Sequence, residues 1–343
     1  MDNNSTYKKL KVNILKFIFN YFYNSRMTDY NITELYISRK KKIKLDNLIK
    51  YTNLKIFHCY GYSFYTSTKI TSLDNLPTTL EKLFCHGNKI TSLNNLPKNL
   101  KELRCCDNPI TSLDNLPPKL KILRCNHNTI SCLDNLPLTL EKLDCYASKV
   151  SNLDNLPITL KILNCENNNI TNLDNLPPNL QKLICCRNYI TTLDCLPITL
   201  KELHCKNTNI TNLDNLPANL EYLDCSFNVK ITNLNNLPLN LKTLICENNK
   251  ITNLDNLPPK LEILICNYNE LTTLDNLPAT LKELYCTYND ITTLDNLPTN
   301  LQILYCGYNP LEYTFDITLE NIKKYNKKLQ KNKLLANKLL ATT

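Results

Sequence analysis

Seventeen cysteines and four histidines are the residues best able to do chemistry in this chain of 343 residues. Thirteen of the cysteines share one slot: Cys59, then every 20 residues from Cys85 to Cys225, then again every 20 from Cys246 to Cys306. Such a rank of thiols could form disulfides, hold zinc, supply a nucleophile or simply fill space. Zinc sites ask for paired ligands such as C-x2-C, and none is present; Cys105-Cys106 and Cys185-Cys186 are adjacent residues that point to opposite faces of an extended chain. One grouping, His86, Cys106, Asp107 and His127, offers the residue types for a metal or an activated thiolate, without any fixed motif behind it. No P-loop, nucleophile elbow or His-Glu-x-x-His occurs, and the histidines stand singly. The expectation is no catalytic residue, no metal and no cofactor.

The element that positions each cysteine is a repeat of the form LxxLxCxxNxIxxLDNLPxx. Units begin at Leu80, Leu100, Leu120, Leu140, Leu160, Leu180, Leu200 and Leu220, and an extra residue near Val229 and Lys230 shifts the rest to Leu241, Leu261, Leu281 and Leu301, giving twelve regular units. Two degenerate units precede them: Leu54 to Cys59, followed by an insertion containing Phe64, and Ile32 to Ile37, with Ile37 in the cysteine slot. A fixed short period means one elongated body in which each unit buries a face against the next.

Within a unit, Leu80 to Cys85 alternates apolar and polar, the pattern of a short strand with one buried face. Identical units must stack these strands in parallel, and fourteen at ~4.8 Å spacing give a sheet roughly 60 Å long. Leu80, Leu83, Cys85, Ile90, Leu93 and Leu96 then point into a shared interior. Neighbouring thiols fall within Cα range of a bridge, but their parallel Cβ vectors leave the Cβ atoms wider apart than the ~3.8 Å that a disulfide prefers. Buried free thiols are therefore expected, cysteine packing as a small hydrophobe, and that many unbridged thiols fit a reducing, cytoplasmic compartment. Asn88 and its counterparts stand where the chain leaves the strand, placed to satisfy buried backbone groups in a ladder that Tyr62, Ser148 and Thr208 interrupt. Pro77 and its copies make LDNLP a turn or a single short helical turn. Cys132 and Cys195 fall on this outer arc.

The motif LEKLFCHGNKITSL and its eleven regular copies resemble the leucine-rich repeat family, whose pattern is LxxLxLxxNxLxxL. The resemblance covers about residues 28 to 311. The 20-residue unit with proline after DNL is most similar to the short bacterial-effector subtype of the YopM and IpaH kind, and the residue bias is similar to that of repeat proteins from giant amoeba-infecting viruses. It implies an α/β-type repeat solenoid: a horseshoe with a parallel concave sheet of about fourteen short strands, an irregular convex side and helical caps at both ends. The expected divisions are residues 1–27 as an amphipathic N-terminal cap, 28–311 as the solenoid and 312–343 as a Lys-rich helical cap, with Leu319, Ile322, Leu329 and Leu335 or Leu339 at near-helical spacing.

Charge is concentrated at the ends. Residues 1–50 carry 11 Lys/Arg against 4 Asp/Glu and residues 311–343 carry 7 against 3, whereas the repeats between have 22 against 24. The repeat body has no electrostatic reason to grip a phosphate backbone, so a nucleic-acid reading rests on the basic ends alone. The apolar stretch Leu10–Tyr23 is interrupted by Lys11, Asn13, Lys16 and Asn20 and is too short for a bilayer, which needs ~20 residues. Neither nucleic acid nor membrane is the expected partner.

If leucine, cysteine and asparagine slots are architecture, function has to be built from the positions between them. The solvent-facing strand residues run Phe84, Arg104, Arg124, Asp144, Asn164, Ile184, His204, Asp224, Ile245, Ile265, Tyr285 and Tyr305, all free to vary on a rigid scaffold. The earlier part gathers Lys82, Arg104, Arg124, His127 and Lys142 among Glu102 and Asp107. The later part gathers Phe227, Ile245, Ile263, Ile265, Tyr268, Tyr285, Tyr288, Ile303, Tyr305 and Tyr308, a patch that no repeat rule demands and that resembles a protein contact surface. The primary expectation is a non-enzymatic module binding a protein partner on its concave face. The alternatives are an adaptor whose residues 1–27 dock on other machinery such as a ubiquitin ligase, and a nucleic-acid binder. Nothing in the pattern calls for a second copy of the chain.

Overall fold

Leu83, Cys85 and their equivalents alternate with polar neighbours over only a few residues before Asn88 turns the chain, so each unit contributes a strand just three residues long. The computed structural model describes residues 31–36, 45–60 and 70–340. Fourteen such strands, from β1 (Glu34–Tyr36) and β2 (Ile56–His58) through β3 (Lys82–Phe84) to β13 (Glu283–Tyr285) and β14 (Ile303–Tyr305), form one parallel sheet in sequential order. Register is strict: Leu83 pairs with Leu103 as Phe84 pairs with Arg104, and the column continues to Tyr285 and Tyr305. The expected interior is present, with the leucines, isoleucines and cysteines of every unit in one continuous core. The residues proposed for the amphipathic cap (1–27), and Ile37, Tyr62 and Phe64, lie outside the described residues.

Three hydrogen-bond ladders tie the units together. On the inner side, Asn108 Nδ2 donates to Cys85 O (3.1 Å) and Cys105 O (3.0 Å), while its Oδ1 accepts from Ile90 N (3.0 Å). The amide thus satisfies backbone groups of its own turn and of the preceding unit, as the spacing predicts. At Ser148 the ladder fails: its Oγ is buried without a partner. At Thr208 the hydroxyl donates to Cys205 O (3.0 Å), a partial substitute.

The second ladder runs along the outer arc. The asparagine of LDN adopts left-handed φ, 62° at Asn75 and 61° at Asn115, which Asn tolerates better than most residues. Its side chain reaches back one unit, as from Asn95 Nδ2 to Asp74 Oδ1 (3.0 Å) and from Asn276 to Asp255 (3.1 Å). The third uses the residue before each leading leucine: Thr139 Oγ1 donates to Pro118 O and Leu120 O (both 2.8 Å), and Asn219 Nδ2 to Ile198 O (3.0 Å).

The far end is closed by α1 (Leu319–Leu340), capped at its start by Thr318 Oγ1, which accepts from Asn321 N (3.2 Å). Ile322 is fully buried, Lys323 Nζ donates to Leu301 O (2.6 Å), Asn326 Nδ2 to Leu294 O (2.7 Å), and Leu294 N to the Tyr313 hydroxyl (2.6 Å). Of the apolar stripe expected to run on to Leu335 or Leu339, Ile322 is buried and Leu329 half-buried, while Leu335 is exposed, as are all residues from 331 to 337; the Leu339 side chain lies outside the described residues.

Candidate binding surface on the concave sheet

The thiols come first, because their placement decides whether the inner face holds any reactive chemistry. All thirteen ladder cysteines are buried and unbridged. Several aim the S–H at the next strand, as from Cys145 to Asn164 O (3.4 Å) and from Cys185 to His204 O (3.3 Å). A cysteine here combines an apolar body with a weak donor that leucine lacks. Burial pushes their pKa values up, to about 12 at Cys145, so none of them is a ready thiolate.

The grouping of His86, Cys106 and His127 does not come together. His86 stacks on Tyr60 at 4.7 Å, His127 meets Tyr146 edge-on at 4.8 Å, and Cys106 Sγ faces Asn126 Oδ1 at 3.4 Å. Burial raises the Cys106 thiol above its ordinary value, the opposite of an activated nucleophile. Among the described residues no cluster of three or more His, Cys, Asp or Glu has the geometry to hold a metal.

The variable strand positions face outward on the concave side, and stacking organises them into columns. Tyr36, His58 and Phe84 lie ring on ring at 3.9 and 4.6 Å, and the Arg104 guanidinium covers Phe84 at 4.8 Å. This first stack contains two residues, Tyr36 and His58, that the sequence pattern did not single out, since both lie in the degenerate opening units. Glu34 Oε1 accepts from the Tyr36 hydroxyl (2.7 Å) and pairs with His58 Nε2 (2.9 Å). Burial lowers the pKa of His58 despite that partner, and burial with the adjoining Glu34 pushes Tyr36 up to about 12.

Of the two arginines named from sequence, Arg104 is engaged by Glu102, itself almost fully buried, at 2.6 Å. Arg124 is exposed and forms no ion pair among the described residues.

The later columns bear the aromatic and aliphatic patch. Ile245 and Ile265 are half-buried neighbours in register, followed by Tyr285 and Tyr305 stacked at 5.0 Å. Beside them, Tyr268, Tyr288 and Tyr308 stack at 4.4 and 4.2 Å. These three are 48, 40 and 75% exposed, so α1 leaves them uncovered. Phe227 stands in the same column two units earlier, under Lys206 Nζ at 4.7 Å.

Every described residue of that outer column adopts left-handed φ: Gly87, Asp107, Asn167, Asn207 and Asn248, but also His127 (52°), Ala147 (50°), Arg187 (53°), Phe227 (59°), Tyr268 (55°), Tyr288 (55°) and Tyr308 (56°). Glycine, Asn and Asp suit this backbone, whereas a bulky side chain pays a steric penalty of about 1–2 kcal/mol in general. Aromatic residues therefore occupy the position against local preference, and sequence spacing alone gave no sign of it.

A second exposed apolar row escaped the sequence reading. Leu138, Ile158, Ile198 and Leu239, each following the repeat proline, stand out from the opposite side of the solenoid, flanked in register by Pro118, Pro178 and Ala218. The backbone carbonyls of Leu138, Ile158 and Ile198 accept bonds of the third ladder.

No family model and no curated protein matches the chain. Among solved structures it is similar to YopM from Yersinia enterocolitica WA-314, at 30% identity and TM-score 0.67, over 83% of this chain and 67% of that one. It is likewise similar to the functional domain of InlJ from Listeria monocytogenes, which includes a cysteine ladder, at 31% identity and TM-score 0.58, over 77% and 64%. A leucine-rich repeat protein of Leptospira interrogans shares the fold at 24% identity and TM-score 0.59, over 85% and 80%. The chain thus spans about two thirds of the length of the first two.

Proposed function

The chain belongs to the leucine-rich repeat family, and from that premise we propose that it is a protein-interaction module gripping a partner with the later part of its concave sheet. One observation carries the reading: Tyr268, Tyr288 and Tyr308 stand exposed and mutually stacked at positions whose left-handed backbone favours Asn or Gly. Residues held against local preference cluster at functional sites, and tyrosine is enriched in interface hot spots. Ile245, Ile265, Tyr285 and Tyr305 extend the same surface on rigid strands. The basic pair Arg104 and Arg124 ends the fourth and fifth strands of the sheet, ten and nine strands from β14. Thirteen unbridged ladder thiols support a reducing compartment such as cytoplasm.

The test is affinity capture from the native cell with the wild-type chain and with Tyr268→Asn/Tyr288→Asn, a pair of changes that suits the backbone and spares the fold. Loss of one specific partner, with circular dichroism unchanged, supports the reading. Equal recovery of every captured protein by both chains contradicts it.

A further inference from the structure

Among the described residues, no strand pairs with the far edge of β14. In the preceding unit, Cys286 N donates to Tyr305 O (2.7 Å) and Tyr288 N to Gly307 O (3.1 Å). The same two amides one unit on, those of Cys306 and Tyr308, find no acceptor among the described residues. The core is less completely covered at the same place. The central leucine of every strand from β3 to β13 is at most 1% exposed, whereas Leu304 of β14 is only partly buried. Helix α1 packs Ile322 into the end of the core, and its polar contacts are with Leu294, Thr299 and Leu301, before the strand begins; none reaches the amides of Cys306 or Tyr308.

Side chains repeat the pattern. Tyr305 and Tyr308 each stack on the preceding tyrosine through one face, and among the described residues no ring lies against the other. They are 57% and 75% exposed. Between them, a Cβ added at Gly307 would meet no atom within 4 Å. Unpaired donors, a partly buried leucine and two open ring faces thus coincide along residues 304–308.

We propose that β14 accepts an extended segment of another polypeptide as a fifteenth parallel strand. The segment donates to the Gln302 carbonyl as Ile303 N does to Lys282 O (3.0 Å), and its carbonyls accept from Cys306 and Tyr308. Main-chain bonds of this kind give strand addition its affinity, and side-chain pockets its selectivity. The chemistry of the segment follows from the columns it extends. An apolar residue covers Leu304, and the residue after it lays a flat group on Tyr305. That flat group is an aromatic ring or a guanidinium, since Arg104 occupies the corresponding place over Phe84 in this sheet. A third residue further along meets Tyr308. This site is distinct from the concave patch, although Tyr305 and Tyr308 border both, and it stands or falls on backbone pairing.

The probe is a synthetic peptide with the sequence of Leu281 to Asp290 carrying Cys286→Ser, which supplies Leu284, Tyr285 and Tyr288 at the required spacing. Its binding to the full chain is followed by fluorescence anisotropy. Saturable binding is expected, weakened at least about ten-fold when the peptide amide equivalent to Glu283 is N-methylated, and similarly by Tyr305→Ser/Tyr308→Asn in the protein. A scrambled peptide gives no signal. N-methylation without effect, or no saturable binding to the folded chain, overturns the proposal. Sedimentation velocity separates the other occupant: self-association that the same double substitution abolishes assigns the edge to a second copy and likewise overturns it. Because N-methylation leaves the concave side chains untouched, its outcome is independent of the capture experiment on Tyr268 and Tyr288.

Discussion

Replacing Ser148 by asparagine repairs a place where the inner ladder has lost its amide and where, unlike Thr208, the replacement side chain has no partner. In neighbouring units each cysteine carbonyl accepts from two asparagines: Cys105 O takes Asn108 (3.0 Å) and Asn128 (3.1 Å). Cys125 O and Cys145 O take only one each, from Asn128 (2.8 Å) and Asn168 (3.0 Å). The Ile130 amide lacks the acceptor that Ile110 and Val150 find in Asn128 and Asn168, both at 3.0 Å. Ser148→Asn therefore adds up to three buried hydrogen bonds, each contributing ~0.5–1.5 kcal/mol net. Ordering the longer side chain costs back up to about 1 kcal/mol. A gain of about 2 kcal/mol results, equivalent to roughly 30-fold slower local opening. Native-state hydrogen exchange is the suitable assay, because a repeat array opens locally and a single global midpoint blurs the effect. The Ile130 amide should slow by that factor in Ser148→Asn. Unchanged or faster exchange at Ile130, in a chain that still folds, would refute the ladder account.

Thiol labelling of the native chain should be fast at only Cys132 and Cys195, the exposed pair, with the ladder cysteines released on unfolding. Cys132 should itself react more slowly than a free thiol at pH 8, since its bond to Asp134 raises its pKa and lowers the thiolate fraction; Asp134→Asn should speed it up. Cys195 bonds Asp174 through its thiol where other units use an asparagine amide, so Cys195→Asn should strengthen that rung of the outer ladder and raise the unfolding midpoint slightly, while a fall would show that this arc does not depend on that rung. The His58 pKa, measured by NMR, should lie below the ordinary histidine value. Because the unfolded chain then takes up the proton first, the stacking of Tyr36, His58 and Phe84 should be intact above pH ~6.5 and weaken as pH falls through the folded value.

Much of this was legible from residue types at fixed spacing. Leucine, cysteine and asparagine recur because each unit must bury a face and satisfy its turn, and those demands are local to about 20 residues. The strand register, the inward cysteines and the weak points at Ser148 and Thr208 follow from that frame. The variable tyrosines were visible as departures from it. What was hidden depends on partners one unit away or on backbone angles. The LDN asparagine reads as a turn residue until Asn95 is seen reaching Asp74. The left-handed φ of Tyr268 and Tyr288 leaves no trace in an apolar pattern, and the exposed row of Leu138, Ile158 and Ile198 looks like core because these residues are apolar and follow a proline. The apolar spacing in α1 likewise gave no sign that residues 331–337 stand exposed, because spacing alone does not show where the surface it packs on ends.

The presence of two exposed apolar surfaces makes the central claim directly testable. A photo-crosslinking residue is placed at position 288 on the concave side, or at position 198 on the opposite row, and each chain is irradiated in the native cell. The concave reading predicts a discrete crosslinked partner from position 288 and none from position 198. The same partner captured from position 198 and not from 288 would contradict it and move the binding surface to the other side of the solenoid.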